Sequence, residues 1–342
     1  MKREILAIAT GRAWGKGKKD VTFLNRFKTL DEAFSNVVES EKVDISECED
    51  VANEAKEKGI IVLDFWSEPY PLLLKEIINP PVVLFVKGAW KKYKLPIAIV
   101  GTRHPSGYGE QITKLLSTEL GRLGFTIVSG MARGIDSIAH KYAILSKTHT
   151  VAVLGSGVDV VYPPENRKLY ESICENGAII SEYEPQTSPY AFNFPLRNRI
   201  ISGLSLSTVV TEAGIRSGSL ITAHYAIEQN RMLFSVPGEI FSNRSQGTNK
   251  IISEGACILT GLEDILLRFY PDLKRVQETT VQEKRLLDDK ENLVLRNMEG
   301  ETYFDELVGK TGMEAKELSE ILTDLELSGV VKRSGGNIFI KT

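Results

Sequence analysis

The sequence predicts an α/β protein built on a doubly wound, mostly parallel sheet, with a small helical segment before it and a second small unit after it. Three observations predict this. Strand-like apolar runs alternate with helical periods from Pro96 to about residue 265, the pattern of a parallel sheet covered by helices on both faces. Those runs end, one after another, in glycine and small polar residues. Beyond them a polar, aperiodic stretch, residues 271–284, reads as a linker to a short tail with its own apolar periodicity.

Taken in order, residues 1–59 read as an N-terminal helical domain: a Gly/Lys-rich turn, GRAWGKGKKD, precedes Phe23, Phe27, Leu30 and Phe34 at helical spacing. Glycine-basic turns between helices can touch a DNA backbone through their amides, but packing is the simpler reading and no binding is assigned to this segment. Residues 60–95 hold two apolar strand-like runs around a proline-bounded helical piece. From Pro96, PIAIVGT reads as strand and turn, QITKLLSTELGRLG as helix, FTIVSG as strand, DSIAHKYAILS as helix, THTVAVLGSG as strand, ENRKLYESICENG as helix and AIISEY as strand. RNRIISGLS, STVVTEA, SLITAHYAIEQN and MLFSVPG continue the alternation, and GTNKIISEGACILTG closes it as a helix and a short strand. Residues 60–270 are therefore expected to form one Rossmann-like domain. Within 285–342, RLLDDKENLVLRNM, TYFDELVGKTG and EAKELSEILTDLELSG are three helical segments and VVKRSGGNIFIKT alternates like a hairpin, the outline of a winged helix. Its second and third helices carry Lys310 and Lys316 against an excess of acids, which favours a structural or protein-contact role over major-groove reading.

At 342 residues with 42% apolar side chains, the chain can bury at least one full-sized core and form two or three domains. Cys48, Cys174 and Cys257 are odd in number, far apart and without a CxxC pair, which argues against a disulfide framework or a thiolate metal site and fits a reducing cytoplasm. No stretch reaches the ~18 apolar residues of a membrane span, so no membrane anchor is expected. The net charge of −3 is not that of a protein coated in nucleic acid. Locally the balance reverses: Pro96–Thr150 and Tyr190–Lys250 each carry six Lys/Arg against three Asp/Glu, and both windows coincide with glycine-rich loops.

Those loops are GTRHPSGYG (101–109), SGMARGID (129–136), LGSGVDVVYPPEN (154–166) and GIRSGSLIT (214–222), each after a predicted strand. In an open parallel sheet, ligands bind at the carboxyl ends of strands, where glycine lets the backbone approach and helix N-termini offer free N–H groups to anions. Gly130, Gly134, Gly155 and Gly157, with Ser106, Ser129, Ser217 and Ser219, are thus expected to form a phosphate-binding rim. Other chemistries lack their residues. No GxxxxGK[ST] loop exists, LGSGVD lacks the third glycine of a dinucleotide fingerprint, GxSxG is absent, and His104, His140, His149 and His224 are scattered. No zinc spacing appears either.

What remains is cationic and amide chemistry. Arg103 follows a strand end, Arg133 lies in the next loop, Arg197 and Arg199 bracket Asn198 at a helix start, and Lys168 follows YPPEN. A row of guanidinium forks suits a polyanion better than one nucleotide. Tyr108, Tyr162, Tyr183, Tyr190, Phe192 and Phe194 lie in or beside these loops, where aromatics can stack unpaired bases, although packing is the default use of each.

In this order, GTRHPSGYG, SGMARGID, LGSGVDVVYPPEN, FPLRNRIISGLS, SGSLITAHYAIEQ and VPGEIFSNRSQGTNKIISEGA resemble the motif series of the DNA-processing protein A family (DprA, also called Smf), over about residues 60–265. The flanks agree more loosely with that family's N-terminal SAM-like or helix-hairpin-helix-like domain and its C-terminal winged-helix-like domain. The resemblance implies a non-catalytic, cytoplasmic recombination mediator of natural transformation (competence). Such a protein binds single-stranded DNA without strong sequence preference, protects it and loads RecA onto it past single-strand-binding protein. It also implies a homodimer joined through the Rossmann-like domain between VPGEIF and IISEGA, no cofactor, and no membrane partner. Carried over residue by residue, the DNA contacts include Arg103, Lys168, Arg197 and Arg199, with the loop glycines and serines named above; Arg133, Asn198 and Gly218 are expected at the same site from their places in the loops.

The SGSLIT loop also looks like that of the lysine-decarboxylase-like nucleotide phosphoribohydrolases, whose signature is PGGxGTxxE. Aligning Gly218-Ser219 with its Gly-Thr places Leu220, Ile221 and Thr222 where the acids begin, and Glu212 and Glu228 fall outside the frame. The carboxylate that assists glycosidic cleavage is therefore missing, which disfavours this alternative.

Overall fold

The computed structural model describes residues 1–16, 21–41, 43–90, 94–269, 289–298, 300–327, 330–334 and 337–341. The stretch 271–284, expected as a linker, lies outside the described residues. Two compact units are present, Met1–Ile265 and Leu266–Thr342.

The first unit opens with helices Arg3–Lys16 (α1), Val21–Leu24 (α2), Leu30–Glu41 (α3) and Ile45–Glu57 (α4). Asp44 caps α4 by accepting from the Ser46 amide at 2.9 Å, which satisfies one of the free donors of a helix start. Strand Ile61–Asp64 (β1), the short helix Leu72–Lys75 (α5) and strand Val83–Gly88 (β2) follow. Ile5, Ile8 and Trp14 of α1 share one core with Leu63, Val83 and Phe85, and Phe23, Phe27 and Phe34 pack against it. The helices expected as a domain over 1–59 are thus built onto the edge of the sheet. Their sequence does not announce this, because an amphipathic stripe reads the same whether a helix or a sheet covers it.

Strand and helix then alternate: Pro96–Val100 (β3), Gly107–Arg122 (α6), Thr126–Ser129 (β4), Ile135–Leu145 (α7), Thr150–Val153 (β5), Arg167–Asn176 (α8), Ala178–Ser181 (β6), Asn193–Gly203 (α9), Ser207–Val210 (β7), Ser219–Glu228 (α10), Met232–Ser235 (β8), Gln246–Ser253 (α11), Cys257–Ile258 (β9) and Leu262–Phe269 (α12). The sheet has the order β1-β2-β6-β5-β4-β3-β7-β8-β9. From β6 to β9 neighbours are parallel, whereas β1/β2 and β2/β6 are antiparallel. Strands β3 to β7 are buried along their whole length, which is why they read as continuous apolar runs without alternation. The chain builds outward from β3 to β6, and α9 then carries it back to β7 on the other side of β3. The order therefore reverses between β3 and β7, where Ile97 pairs with Ser207. Such a reversal opens a crevice at the strands' carboxyl ends.

A buried histidine on α7 makes this core acid-sensitive. His140 Nδ1 faces Thr150 Oγ1 at 2.7 Å, and the single proton of that hydroxyl goes to the Ile127 carbonyl at 2.8 Å. Nε2 is buried, and a hydrogen bond to the Ser129 backbone only partly favours the protonated ring. Burial, reinforced by the charge of Arg197, pulls the imidazole down to about 3, against about 6.5 in an unfolded chain. The folded state refuses a proton that the unfolded state accepts, so stability is expected to fall as pH drops below about 6.5. His140→Leu should flatten the upper part of that decline, before carboxylates titrate, in urea melts taken across pH. An unchanged slope would assign it to another group.

The second unit holds helices Asp289–Arg296 (α13), Phe304–Thr311 (α14) and Ala315–Leu327 (α15) around Val294, Leu307, Leu318 and Leu322. Strands Glu301–Tyr303 (β10), Val331–Arg333 (β11) and Ile338–Lys341 (β12) form a sheet in the order β10-β12-β11. This is the winged-helix-like outline with one strand more than expected. Residues 302–303, read from sequence as the start of a helix, pair antiparallel with β12, Thr302 opposite Phe339.

Candidate nucleic-acid interface

A cleft of about 670 Å³ opens where the strand order reverses. Its walls are the end of β3 with its loop (Val100 to His104), the turn after β7 (Gly214 and Arg216 to Ser219), Phe194, Arg197 and Asn198 of α9, and Asp136 of α7.

Its floor is a buried ionic arrangement. Arg197, 4% exposed, donates through Nη1 to the carbonyls of Gly130, at 2.7 Å, and Val153, and through Nε to Asn198 Oδ1 at 3.1 Å. Asp136 accepts from the amides of Gly130 at 3.2 Å and Ala132 at 3.4 Å. Burial pulls the Arg197 guanidinium down to about 10 and raises the Asp136 carboxyl, while each charge partly offsets the effect on the other. Arg197 stays charged at neutral pH, a fixed cation under the cleft. A Cβ at position 130 would lie 2.7 Å from the guanidinium, so any residue larger than glycine there has to displace the Arg197 fork.

Arg103 and Arg216 are exposed on the walls, and neither has a hydrogen-bond or ion-pair partner among the described residues. The loop of Arg103 is held from behind. Glu212, 4% exposed, accepts from the Ser106 amide at 2.8 Å and the Ser106 hydroxyl at 2.6 Å, and its carbonyl accepts from Thr102 N at 2.7 Å. Ser106 in turn caps α6 by accepting from the Gly109 amide at 3.2 Å. Gly134, at φ +73, backs onto the Thr102 carbonyl, which a Cβ would meet at 2.4 Å. The backbone of the loop is fixed and its cationic arm is left unengaged.

Asn198, Ser217, Gly218 and Ser219 also line the cleft, the two serine hydroxyls 2.8 Å apart. Several other expected rim residues do not. Ser129 donates to the Ile99 carbonyl at 2.6 Å, the Gly155 carbonyl accepts from Asn193 Nδ2 at 2.9 Å, and the Gly157 amide donates to the Thr187 carbonyl at 2.9 Å. Gly130, Gly134, Gly155 and Gly157 serve close packing beneath the loops, the other use of glycine at strand ends. Arg199 points away from the cleft into a bidentate pair with Glu182, at 2.8 and 2.6 Å, and its Nε donates to the Asn79 carbonyl at 3.0 Å. Arg133 pairs with Glu165 at the exposed surface, where such pairs are weak and open readily. Lys168, exposed near the start of α8, lies outside the cleft wall.

Arg216 and Asp136 escape the sequence-based reading. The rule that finds Arg103, an arginine in a strand-end loop, would have found Arg216 in GIRSGSLIT. Asp136 gives no signal, because an acid in the first turn of a helix is commonplace. Among the aromatics, Tyr162 and Phe194 line the cleft with ring centroids 5.4 Å apart. Tyr190 and Phe192 stand beside it as an exposed stacked pair, 5.6 Å apart. Tyr108 donates to the Pro237 carbonyl, and Tyr183 is half-buried.

Residues 61–270 match the family model for DNA recombination-mediator protein A, and residues 278–337 match that for the DprA winged helix domain. DNA processing protein DprA of Bacillus subtilis is 42% identical over 212 residues, covering 61% of this chain and 71% of the relative. Protein Smf of Escherichia coli is 37% identical over 271 residues, covering 77% and 72%. The X-ray structure of DNA processing protein A from Streptococcus pneumoniae aligns with TM-score 0.66 and 32% identity over 78% of this chain and 98% of that one. A Helicobacter pylori DNA processing protein A, described for its single-stranded DNA binding mode, aligns with TM-score 0.57 and 32% identity, over 62% and 96%. Among the described residues no helix is long and apolar enough to cross a membrane, and no group of three or more His, Cys, Asp or Glu could hold a metal ion.

Proposed function

Because the chain belongs to the DNA recombination-mediator protein A family, we propose that it holds single-stranded DNA in the cleft between β3 and β7 and breaks no bond there. The observation that carries this reading is the pair of unengaged arginines, Arg103 and Arg216, over the buried cation Arg197. The two free forks take phosphate oxygens. Ser217, Gly218 and Ser219 offer neutral donors at the start of α10, where anions are favoured, and Asn198 of α9 stands beside them with its Nδ2 donating to the Gly218 carbonyl at 3.3 Å. Tyr162 and Phe194 offer faces to an unpaired base, which a duplex keeps stacked inside. Arg133 and Lys168 extend the basic track beyond the cleft. Ser106, Ser129, Gly130, Gly134, Gly155, Gly157 and Arg199 act beneath it, holding the loops that present these groups. The one carboxylate in the wall, Asp136, is occupied by two amides, and positions 220 to 222 carry none, which favours grip over glycosidic cleavage.

In the cell, on the same proposal, the strand is passed to RecA past single-strand-binding protein during transformation, in the cytoplasm and without strong sequence preference. A homodimer is supported by Phe241, 92% exposed in the segment VPGEIF with Ile240 beside it. Light scattering that returns a monomer would remove that part.

The test of the grip is fluorescence anisotropy of labelled oligo-dT against a duplex of equal length across a salt series. Affinity should fall with salt at a slope of about −0.7 per phosphate neutralised. Equal affinity for duplex and single strand would overturn the proposal.

A further inference from the structure

A second cavity, of about 370 Å³, lies against the opposite side of α9, between that helix, α1 and β2. Phe194, Arg197, Asn198 and Ile201 of α9 face the cleft; Phe192, Leu196 and Arg199 face this cavity. Its volume is that of a small-molecule site. Trp14, Phe85, Tyr183 and Phe192 give it aromatic walls. Its charges are already matched: Arg12 pairs with Glu184 at 2.6 and 2.9 Å, and Arg199 with Glu182 at 2.8 and 2.6 Å. A phosphate therefore finds no free cation in it, in contrast to the cleft.

Two polar atoms of its lining residues lack hydrogen-bond partners, Trp14 Nε1, a donor, and Asn79 Oδ1, an acceptor, while the Tyr183 hydroxyl stands against the Glu182 carboxylate. Unpartnered buried polar atoms are uncommon in folded proteins, and two on residues that line one cavity call for a specific explanation. Helix α1 also leaves room here. Gly11 lets α1 close onto β2, where a Cβ would meet Val83 at 3.0 Å, whereas a Cβ on Gly15, also in the cavity wall, would meet nothing within 4 Å. Glycine is a poor helix former, so Gly15 is not there for the helix.

We infer that this cavity is a second site of the chain, for an unpaired nucleobase: flat, uncharged, aromatic on its faces and carrying donors and acceptors on its edge. The inference rests on the single-strand reading of the cleft, since a strand held there passes the Tyr190–Phe192 pair on its way round α9. The two polar atoms are closed to solvent in this conformation, so a base reaches them only after a side chain of the wall moves, and Phe192, 67% exposed, is the wall ring with room to do so.

Photo-cross-linking tests this on the full chain. An oligo-dT carrying one 5-iodouracil, moved along the strand, is irradiated with the protein and the adducts are mapped by mass spectrometry. At some positions adducts are expected on Trp14, Tyr183 or Phe192. Gly15→Leu, which fills the cavity from α1, should abolish them, leave adducts at Tyr162 and Phe194, and change oligo-dT affinity by less than about threefold. Leu196→Phe, which fills it from the opposite wall, should do the same and serves if the first variant is poorly folded. Labelling of Trp14 by free 5-iodouridine as efficient as by the strand would support the site with a free nucleoside as its ligand. Adducts confined to Tyr162 and Phe194, or second-cavity adducts that survive both filling variants, would overturn the inference and leave the cleft standing. Absence of salt-sensitive binding together with all adducts would remove the cleft reading and this one with it.

Discussion

Arg197→Met is expected to destabilise the first unit by about 3–5 kcal/mol, the range for removing one partner of a buried charged arrangement. The side chain is the donor for two carbonyls, Gly130 and Val153, and its charge opposes the buried carboxylate of Asp136. Methionine fills similar volume but donates nothing, so both acceptors and an uncompensated acid stay buried. Arg197→Lys is expected to recover only part of the loss, because a single ammonium cannot reproduce the planar fork. Urea denaturation reads this as a lower midpoint at unchanged slope. A loss below about 1 kcal/mol would mean that water satisfies these groups and that the floor is not structural.

The paired substitution Arg103→Ala, Arg216→Ala is expected to do the reverse, leaving stability within about 0.5 kcal/mol and removing most of the binding. Neither side chain has an internal partner, so the fold gives up little. Each is proposed to make a charge-assisted hydrogen bond to phosphate worth about 1.5–3 kcal/mol, so removing either one alone should weaken oligo-dT affinity about ten- to a hundredfold. The salt slope should become shallower by about 0.7 for each phosphate left without its arginine. Anisotropy titrations at several salt concentrations check both numbers. Unchanged affinity with an unchanged slope would place the DNA elsewhere on the chain.

The alternation of strands and helices was legible because β3 to β7 are buried on both faces and leave continuous apolar runs. Pairing direction was not. Nothing local distinguishes the antiparallel β1 and β2 from their parallel neighbours, nor shows that β10 belongs to the β12 sheet. At the site, the position of the cleft followed from where the small residues fall, and Arg103 stands on its wall as its place after a strand end implies. Individual roles were less legible. Arg197 and Arg199 stand two apart in RNR, so they project in different directions from one helix: one fixes the cleft floor and the other pairs with Glu182. Sequence also overstated the glycines, because a glycine that lets a ligand approach and one that lets a neighbouring loop approach are written alike. Whether Gly130 faces phosphate or guanidinium depends on a side chain far along the chain.

The hydrogen bond between Ser106 and Glu212 joins residues 106 positions apart, and the strands it ties are the two that bound the cleft. Half of this site is therefore translated long before the other half exists. Pairings of such long sequence separation are slow to form, since the intervening chain must be closed into a loop first. A ribosome-bound chain that has exposed β3 but not yet β7 has Arg103 and no cleft, so stalled nascent chains should gain oligo-dT binding abruptly once the segment through α10 has emerged.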